Sequence, residues 1–442
     1  MRPLKSLSLE SIITLLSDAF SRFDDARQKS RLDYSLHDTL MSAFAMFFFQ
    51  HPSLLQFQQA MAKKRGLSNL QTIFGVHQVP SETQMREVLD RASPEQIRAL
   101  LPLLFELVRR AGWAGDYKTS LLQGASALDY YTLTFDGTDY FSSTRVSCPS
   151  CLQRSDKNGL IHYHHSVVSA TLVRANSHRI LPIDAEPVAN TDGTQKQDCE
   201  INAAKRLLKR VRQEHPQMPI ILSGDDLYSR SPFMQECAIN RMNYLFVAKP
   251  TSHQELFEWV EDFQRLGELE EGHWQAGPAC QRRYYRYRIA REVPLTAERM
   301  LWVNFVEVWE TSKEGRAIYH NSWITDLEVT PENVQEITAI GRSKWKIENE
   351  QFNVQKNHGY ELEHNYGHGK KNLSTVFYLM NLLAFIVHKI IERGDRLYEQ
   401  CRAGKISLKE LWNGLRTLMN KILFESWKAL MEFWLCDDVP SG

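Results

Sequence analysis

Residues Tyr130 to Gly137 read YYTLTFDG, and their alternation decides the fold class. Tyr131, Leu133 and Phe135 alternate with Thr132, Thr134 and Asp136, a period that predicts a half-buried β-strand ended by Gly137. An acid is thereby expected at the strand's end. Further on, SVVSATLV and HRILPI predict two more strands, and QDCEINAAKRLLKRVRQ predicts a helix. MPIILSGDD then reads as a buried strand ending in Asp225 and Asp226, SPFMQECAI as a short helix and NYLFVAK as a fifth strand. With helices from Pro331 onward, after Thr330 as a cap, the order β-β-β-α-β-α-β-α describes an α/β core.

Outward from this core the periodicity changes. Residues 1–115 are expected to form a helical N-terminal domain, because SLESIITLLSDAF, HDTLMSAFAMFFF and the segment from Ser93 space apolar residues by three and four. Ser81 with Gln84 and Ser93 with Gln96 stand at capping-box spacing, and Pro94 takes the favoured first helical position. Such a domain suits DNA binding or dimerisation, or plain packing. Residues 128–250 carry the first part of the core, and residues 251–329 a β-rich insertion. The insertion opens with a short helix around Glu255 to Phe263 and then alternates as RRYYRYRI, LWVNFVEV and AIYHNSWIT. Residues 330–395 complete the core with the helix of Glu348, and 396–442 form a helical tail rich in Leu and Trp.

Composition narrows the class without choosing a function. The chain has 442 residues, 43% hydrophobic and 24% charged, as in a soluble globular protein with well-buried cores. The most apolar run, VFYLMNLLAFIV from Val376, contains Asn381 and reads as a buried helix, so no membrane partner is expected. At the N-terminus, Glu10 interrupts the apolar stretch and no small-residue cleavage site follows, which favours a cytoplasmic location. Seven scattered cysteines suit reduced thiols or a metal site better than a disulfide framework. The 53 basic and 53 acidic residues cancel, which argues against nucleic-acid binding by bulk charge. Local basic runs remain: KRLLKRVR from Lys205 to Arg212, RRYYRYRIAR from Arg282 to Arg291, and the stretch from Lys370.

Three carboxylates carry the chemical argument. Asp136 and Asp225 stand at expected strand ends, and Glu348 lies in RSKWKIENEQFN with Trp345 three residues before and Phe352 four after. On an α-helix those three share one face, so Glu348 is expected to project from an apolar stripe toward the core. A buried carboxylate is costly unless it is paired or binds a metal. A single strand-end Asp is most often a turn former. Two of them with a helix acid suit two Mg²⁺ or Mn²⁺ ions, hard cations that take oxygen ligands and keep positions open for phosphate.

FDGTDY, SGDDLYS and GRSKWKIENEQFN resemble the three acid-bearing motifs of DDE transposases of the insertion-sequence-four group. QKQDCEINAAKRLL and KNHGYELEHNYGHGKKNLS are similar to a subset of unclassified insertion-sequence transposases. The resemblance spans about Phe135 to Lys389. It implies a ribonuclease-H-like core with a β-domain inserted before the Glu helix, and a metal-dependent enzyme that cuts element ends and joins them to target DNA. By motif, Asp136, Asp225 and Glu348 become the metal-binding catalytic acids. Double-stranded DNA becomes the partner, met by a homodimer. The group's signature has Tyr, Arg and Lys seven before, four before and seven after the Glu; here those positions are Gly341, Lys344 and Gln355. Arg342, Lys344 and Lys356 are therefore the expected phosphate contacts. The same acids would serve a nuclease that only cleaves, and a transposase-derived DNA-binding protein would need no metal.

Other residues leave alternatives open. Cys148 and Cys151 form C-x₂-C with His162, His164 and His165 close behind, which suits structural Zn²⁺ or merely a loop with surface histidines. His358, His364 and His368 suit phosphate contact, proton transfer or local hydrogen bonds. Trp302, Trp309 and Trp323 suit core packing or, as in hairpin-forming transposases, stacking on a flipped base.

Overall fold

The computed structural model describes residues 7–25, 27, 33–189, 197–297, 300–403 and 407–437, so Gln195 and Lys196 of the QKQDCE motif lie outside the described residues. Seven helices come first: α1 (Leu9–Phe20), α2 (Leu36–Phe48), α3 (Leu54–Met61), α4 (Lys64–Phe74), α5 (Glu82–Leu89), α6 (Pro94–Arg98) and α7 (Leu100–Arg110). Serine side chains cap several of them; Ser81 accepts from the Gln84 N–H and Ser93 from the Gln96 N–H, each satisfying a first-turn donor the helix cannot.

The core follows as β1 (Lys118–Gln123), β2 (Ser126–Ser143), β3 (Leu152–Ser155), β4 (Ile161–Val173), β5 (Ile180–Val188), α8 (Glu200–Glu214), β6 (Ile220–Gly224), α9 (Ser231–Ile239) and β7 (Asn243–Val247). The five expected strands are β2, β4, β5, β6 and β7, and they lie side by side as β5-β4-β2-β6-β7. β4 runs antiparallel to β2 and β5, whereas β6 and β7 run parallel to β2 and to one another. Two further strands of the core were not foreseen: β1, in the stretch left between residues 115 and 128, pairs with the start of β2, and β3 pairs with the first residues of β4.

One boundary differs in a way that matters. Gly137 does not end the strand: β2 continues to Ser143, with Asp136 opposite Ser169 and Gly137 opposite Val168 of β4. The glycine answers to crowding instead. A Cβ there would lie 2.4 Å from the Glu200 carboxylate, so with a larger residue the Glu200 side chain would have to shift.

The insertion comprises α10 (Gln254–Leu266), β8 (Glu270–Ala276), β9 (Arg283–Pro294), β10 (Trp302–Thr311) and β11 (Ala317–Thr325). Its strands prolong the core sheet: β11 pairs antiparallel with β7, and the order runs on through β10, β9 and β8 to make one 11-stranded sheet. After it come α11 (Val334–Arg342), a π-helical turn at Ile347–Phe352, α12 (Asn353–Asn357), α13 (Leu373–Gly394), α14 (Arg396–Ala403), α15 (Leu408–Lys421) and α16 (Trp427–Asp437).

Alternation along β6 and β7 separates two cores. Ile220, Leu222, Tyr244 and Phe246 join the large one, Ile221 and Leu245 the smaller, as successive residues on opposite sheet faces must. The large core also holds Leu16, Phe44, Phe48 and Leu104 from the N-terminal helices and Phe377, Trp412 and Trp427 from the C-terminal ones. The two helical segments expected at opposite ends of the chain therefore form one shared layer. α13 is long and apolar enough to cross a membrane, but 89% of its apolar window is buried inside the protein, which accounts for its hydrophobicity.

Candidate active site

Backbone register brings the two aspartates level. Thr134 of β2 lies opposite Ser223 of β6, and Asp136 and Asp225 each follow two residues later on neighbouring parallel chains. Asp136 is buried, and its Oδ1 accepts the N–H of Gly137 at 3.1 Å. Lys344 reaches in from the turn after α11. Its Nζ lies 3.4 Å from Asp136 Oδ2 and also binds the Glu348 carboxylate one helical turn away. One ammonium thus ties the strand acid to the helix acid.

The electrostatics show how close the acids are. Burial pushes the Asp136 carboxyl up to about 7; Lys344 pulls it down, and the charges of Glu348, Asp225 and Glu200 push it further up. Lys344 in turn loses from burial and gains more from Asp136, Glu348 and Asp225, so it stays charged. Glu348 and Asp225 are therefore near enough to Asp136 for their charges to act on it.

Neighbouring acids of the same type point elsewhere. Asp226 accepts from the Lys249 N–H at 3.1 Å and from Ser252 Oγ at 2.5 Å, fastening the turn before α10. Glu350 faces His178 and Lys346, each at 3.5 Å, away from Asp136.

The expected apolar face around Glu348 does not form. Trp345 is 44% exposed and the Glu348 side chain 52%, while Ile347, Gln351 and Phe352 are buried. The cause is the π-helical turn, which bonds i to i+5 and breaks the angular count that an α-helix obeys. Gln351 anchors this turn to β4, donating to Ser169 at 3.0 Å and accepting from Thr171. Glu348 is left at the mouth of the site.

A fourth carboxylate went unread in the sequence. Glu200 opens α8, presses on Gly137 and accepts the Tyr228 hydroxyl at 2.6 Å. Burial raises its pKa, the Tyr228 bond opposes this, and Asp225 adds to the rise. The signal was the acid in the DCE run of the motif from Gln195, set at a helix start. Beside it opens a groove of about 840 Å³ lined by Gly137, Thr138, Asp139, Arg154, Glu200 and Lys356.

The expected phosphate contacts are mostly engaged within the protein. Arg342 pairs with buried Glu310 at 2.5 Å and lies over the Tyr319 ring, Lys356 pairs with Glu363 at 2.8 Å, and Lys344 belongs to the acids. In the basic run of α8, Arg206 and Arg210 bind Glu186 and Asp184 of β5. Arg288 and Arg291 of the insertion pair with Glu307 and Glu270. Of the tryptophans, Trp323 is fully buried and packs on Gly341, so it is a core residue. Trp309 stacks on His320 under Arg286, and Trp302 is half exposed.

Cys148 and Cys151 come together with His165 and His368, forming a group able to hold a metal ion. His162 turns instead to Asp156 at 3.5 Å, His358 to Asn353 at 3.5 Å, and His364 packs against the Tyr366 ring. His368 stands 217 residues from Cys151, beyond any local spacing rule. Burial pushes His165 down to about 4 and lowers His368, so both rings are neutral at pH 7.

No protein-family model and no curated protein matches the chain.

Proposed function

We propose that this chain is a DNA transposase of the DDE type, with a ribonuclease-H-like core and Asp136, Asp225 and Glu348 as catalytic acids. The observation that carries the reading is the level placement of Asp136 and Asp225 on adjacent parallel chains, with Lys344 joining Glu348 to Asp136. The strand order β5-β4-β2-β6-β7 supports it, as does the insertion between β7 and α11.

Three carboxylates are donors of the kind that magnesium or manganese takes, hard cations that prefer oxygen ligands. Carboxylates gathered in a partly buried space repel one another until a cation joins them, and Lys344 already holds a positive charge between two of them. When bound, such ions activate a water or 3′ hydroxyl and stabilise the leaving oxygen of a phosphodiester. The protein's own contribution is positioning and fixed charge. β2 carries Asp136 and β6 leads directly into Asp225, the π-helical turn presents Glu348, and the Tyr228 hydroxyl orients Glu200. Lys344 offers the incoming phosphate a positive charge. The softer donors of the Cys148–Cys151 group lie apart from this oxygen site and suit a different metal.

Strand transfer tests the reading. The purified chain, given pre-cleaved DNA ends of its own element and Mg²⁺, is expected to join them to target DNA, and Asp136→Asn, Asp225→Asn and Glu348→Gln are each expected to abolish joining. Near wild-type joining by Glu348→Gln would sink the proposed site. Cleavage without joining would indicate a nuclease, and DNA binding with no metal-dependent chemistry a non-catalytic descendant.

A further inference from the structure

We propose that Cys148, Cys151, His165 and His368 form a closed structural zinc site that clamps the far end of the β2–β4 hairpin to the segment between α12 and α13. The inference stands apart from the transposase reading, because none of the four touches the carboxylates.

Distances carry it. Zinc binds Cys sulfur at about 2.3 Å and His nitrogen at about 2.0 Å in a tetrahedron, which requires S···S near ~3.8 Å and S···N near ~3.5 Å. The two sulfurs lie 3.8 Å apart. His165 Nε2 lies 3.5 Å from each sulfur, and His368 Nε2 lies 3.4 Å from Cys151 Sγ. All four donor atoms fall within 4.8 Å of one another. A disulfide is a poor alternative, since its sulfurs would stand about 2.0 Å apart. Two sulfurs and two imidazole nitrogens converge on one point, where a single zinc ion would satisfy all four.

The surroundings look built for the purpose. Cys151, His165 and His368 are each at least nine-tenths buried, and Cys148 is half-buried. The Cys148–Cys151 loop is a tight turn: the Cys151 N–H donates to the Cys148 carbonyl at 3.1 Å, and the Cys148 N–H donates to Cys151 Sγ at 3.3 Å, as suits a thiolate. His165 comes from β4, opposite Phe141 of β2. His368 is flanked by Gly367 and Gly369, both at positive φ, where a Cβ would strike Arg86 and Asp90 respectively. Its ring stacks on Phe141 at 4.2 Å. Just beyond, the Asp90 carboxylate accepts the N–H groups of Lys370, Lys371, Asn372 and Leu373. Three distant stretches of chain thus meet at one point, and four protein donors leave no open position for substrate, which marks the ion as structural.

Metal analysis of the full chain, purified without chelator or metal-affinity tag, is expected to give about one zinc per chain. Cobalt replacement is expected to give tetrahedral visible bands and a thiolate charge-transfer band. Cys148→Ser and His368→Ala should lose the metal and lower Tm by about 10 °C, with new proteolytic cuts near residues 144–160. His368→Cys keeps four donors, so it should retain zinc and raise the thiolate–cobalt band by roughly half. Any of three results overturns the proposal: no zinc and no cobalt spectrum in the wild type, a Cys148–Cys151 disulfide in the native protein, or undiminished zinc in both loss variants.

Discussion

At Asp136, burial and three neighbouring carboxylates all favour the neutral acid, and the Lys344 charge opposes them. The sign of the consequence follows. With its pKa raised to about 7 from an ordinary 3.8, the native state holds this proton more tightly than the unfolded chain does. The stability this contributes is fully present below about pH 4 and is lost as pH rises through 7, on the order of 4 kcal/mol by pH 8. Asp136→Asn should therefore raise the Tm of the metal-free protein by several degrees at pH 8 and leave it nearly unchanged at pH 4. Equal shifts at both pH values in thermal melts would show that Asp136 is not the strained acid. Magnesium should stabilise the wild type more at pH 8 than at pH 5, because protons compete for the same carboxylate. A second outcome concerns neighbouring glutamates. Glu350 faces Lys346 and His178, so Glu350→Gln should keep most joining activity where Glu348→Gln keeps none. Glu200→Gln should lose about 10- to 100-fold, as outer partners of metal ligands do. Strand-transfer rates in Mg²⁺ measure all three variants.

Elements show what local sequence reveals and what it hides. The strand of Asp136 and the strand leading to Asp225 were legible because alternation and an apolar run are local signals, whereas the parallel pairing of β2 with β6 appears only in the fold. Gly137 was read as a strand end because its true partner, Glu200, lies 63 positions away and meets it only in the fold. The face of Glu348 was misjudged because a 3.6-residue period was assumed across a turn that is π-helical. β8 escaped notice because EEGHWQA, at the sheet's edge, is charged and almost wholly out of the core, with no apolar alternation. The contact between β2 and α8 can be tested directly. In Gly137→Ala the new methyl would meet the Glu200 carboxylate at 2.4 Å, so one of them must move. The expected cost is about 1–3 kcal/mol of stability, together with reduced joining. Adding Glu200→Ala should recover most of that stability without recovering activity, a coupling that chemical denaturation of the four-member cycle would measure. Purely additive losses would place the strain elsewhere.

For the whole molecule, the decisive feature is that the first helices, the last helices and the sheet carrying Asp136 share one core. Leu16, Phe44 and Phe48 from the first helices pack in the same cluster as Leu133 and Phe135 of β2 and Trp412 and Trp427 near the other end. Phe48 alone meets His388 of α13, Trp412 of α15 and Trp427 of α16 through ring contacts of 4.6, 5.2 and 5.6 Å. Asp395, at the end of α13, accepts the Trp427 indole N–H at 2.8 Å and so joins the last helix to the layer. Sequence periodicity revealed the helices but could not reveal that they pack on one another, because tertiary partners leave no local trace. A helical domain at each end would tolerate removal; a shared layer would not. Deleting residues 1–115, or cutting the chain after 395, would expose the apolar faces of α13 and β2 to water at about 25 cal/mol per Å². A domain is stable by only about 5–15 kcal/mol, which the exposure of roughly 200–600 Å² at that rate would cancel. Both truncated chains should therefore fail to give a cooperative thermal transition and should be digested rapidly by protease at concentrations that leave the full chain intact. A deletion of 1–115 that melts cooperatively and still binds magnesium would show instead that the helical layer is an independent domain resting on the core.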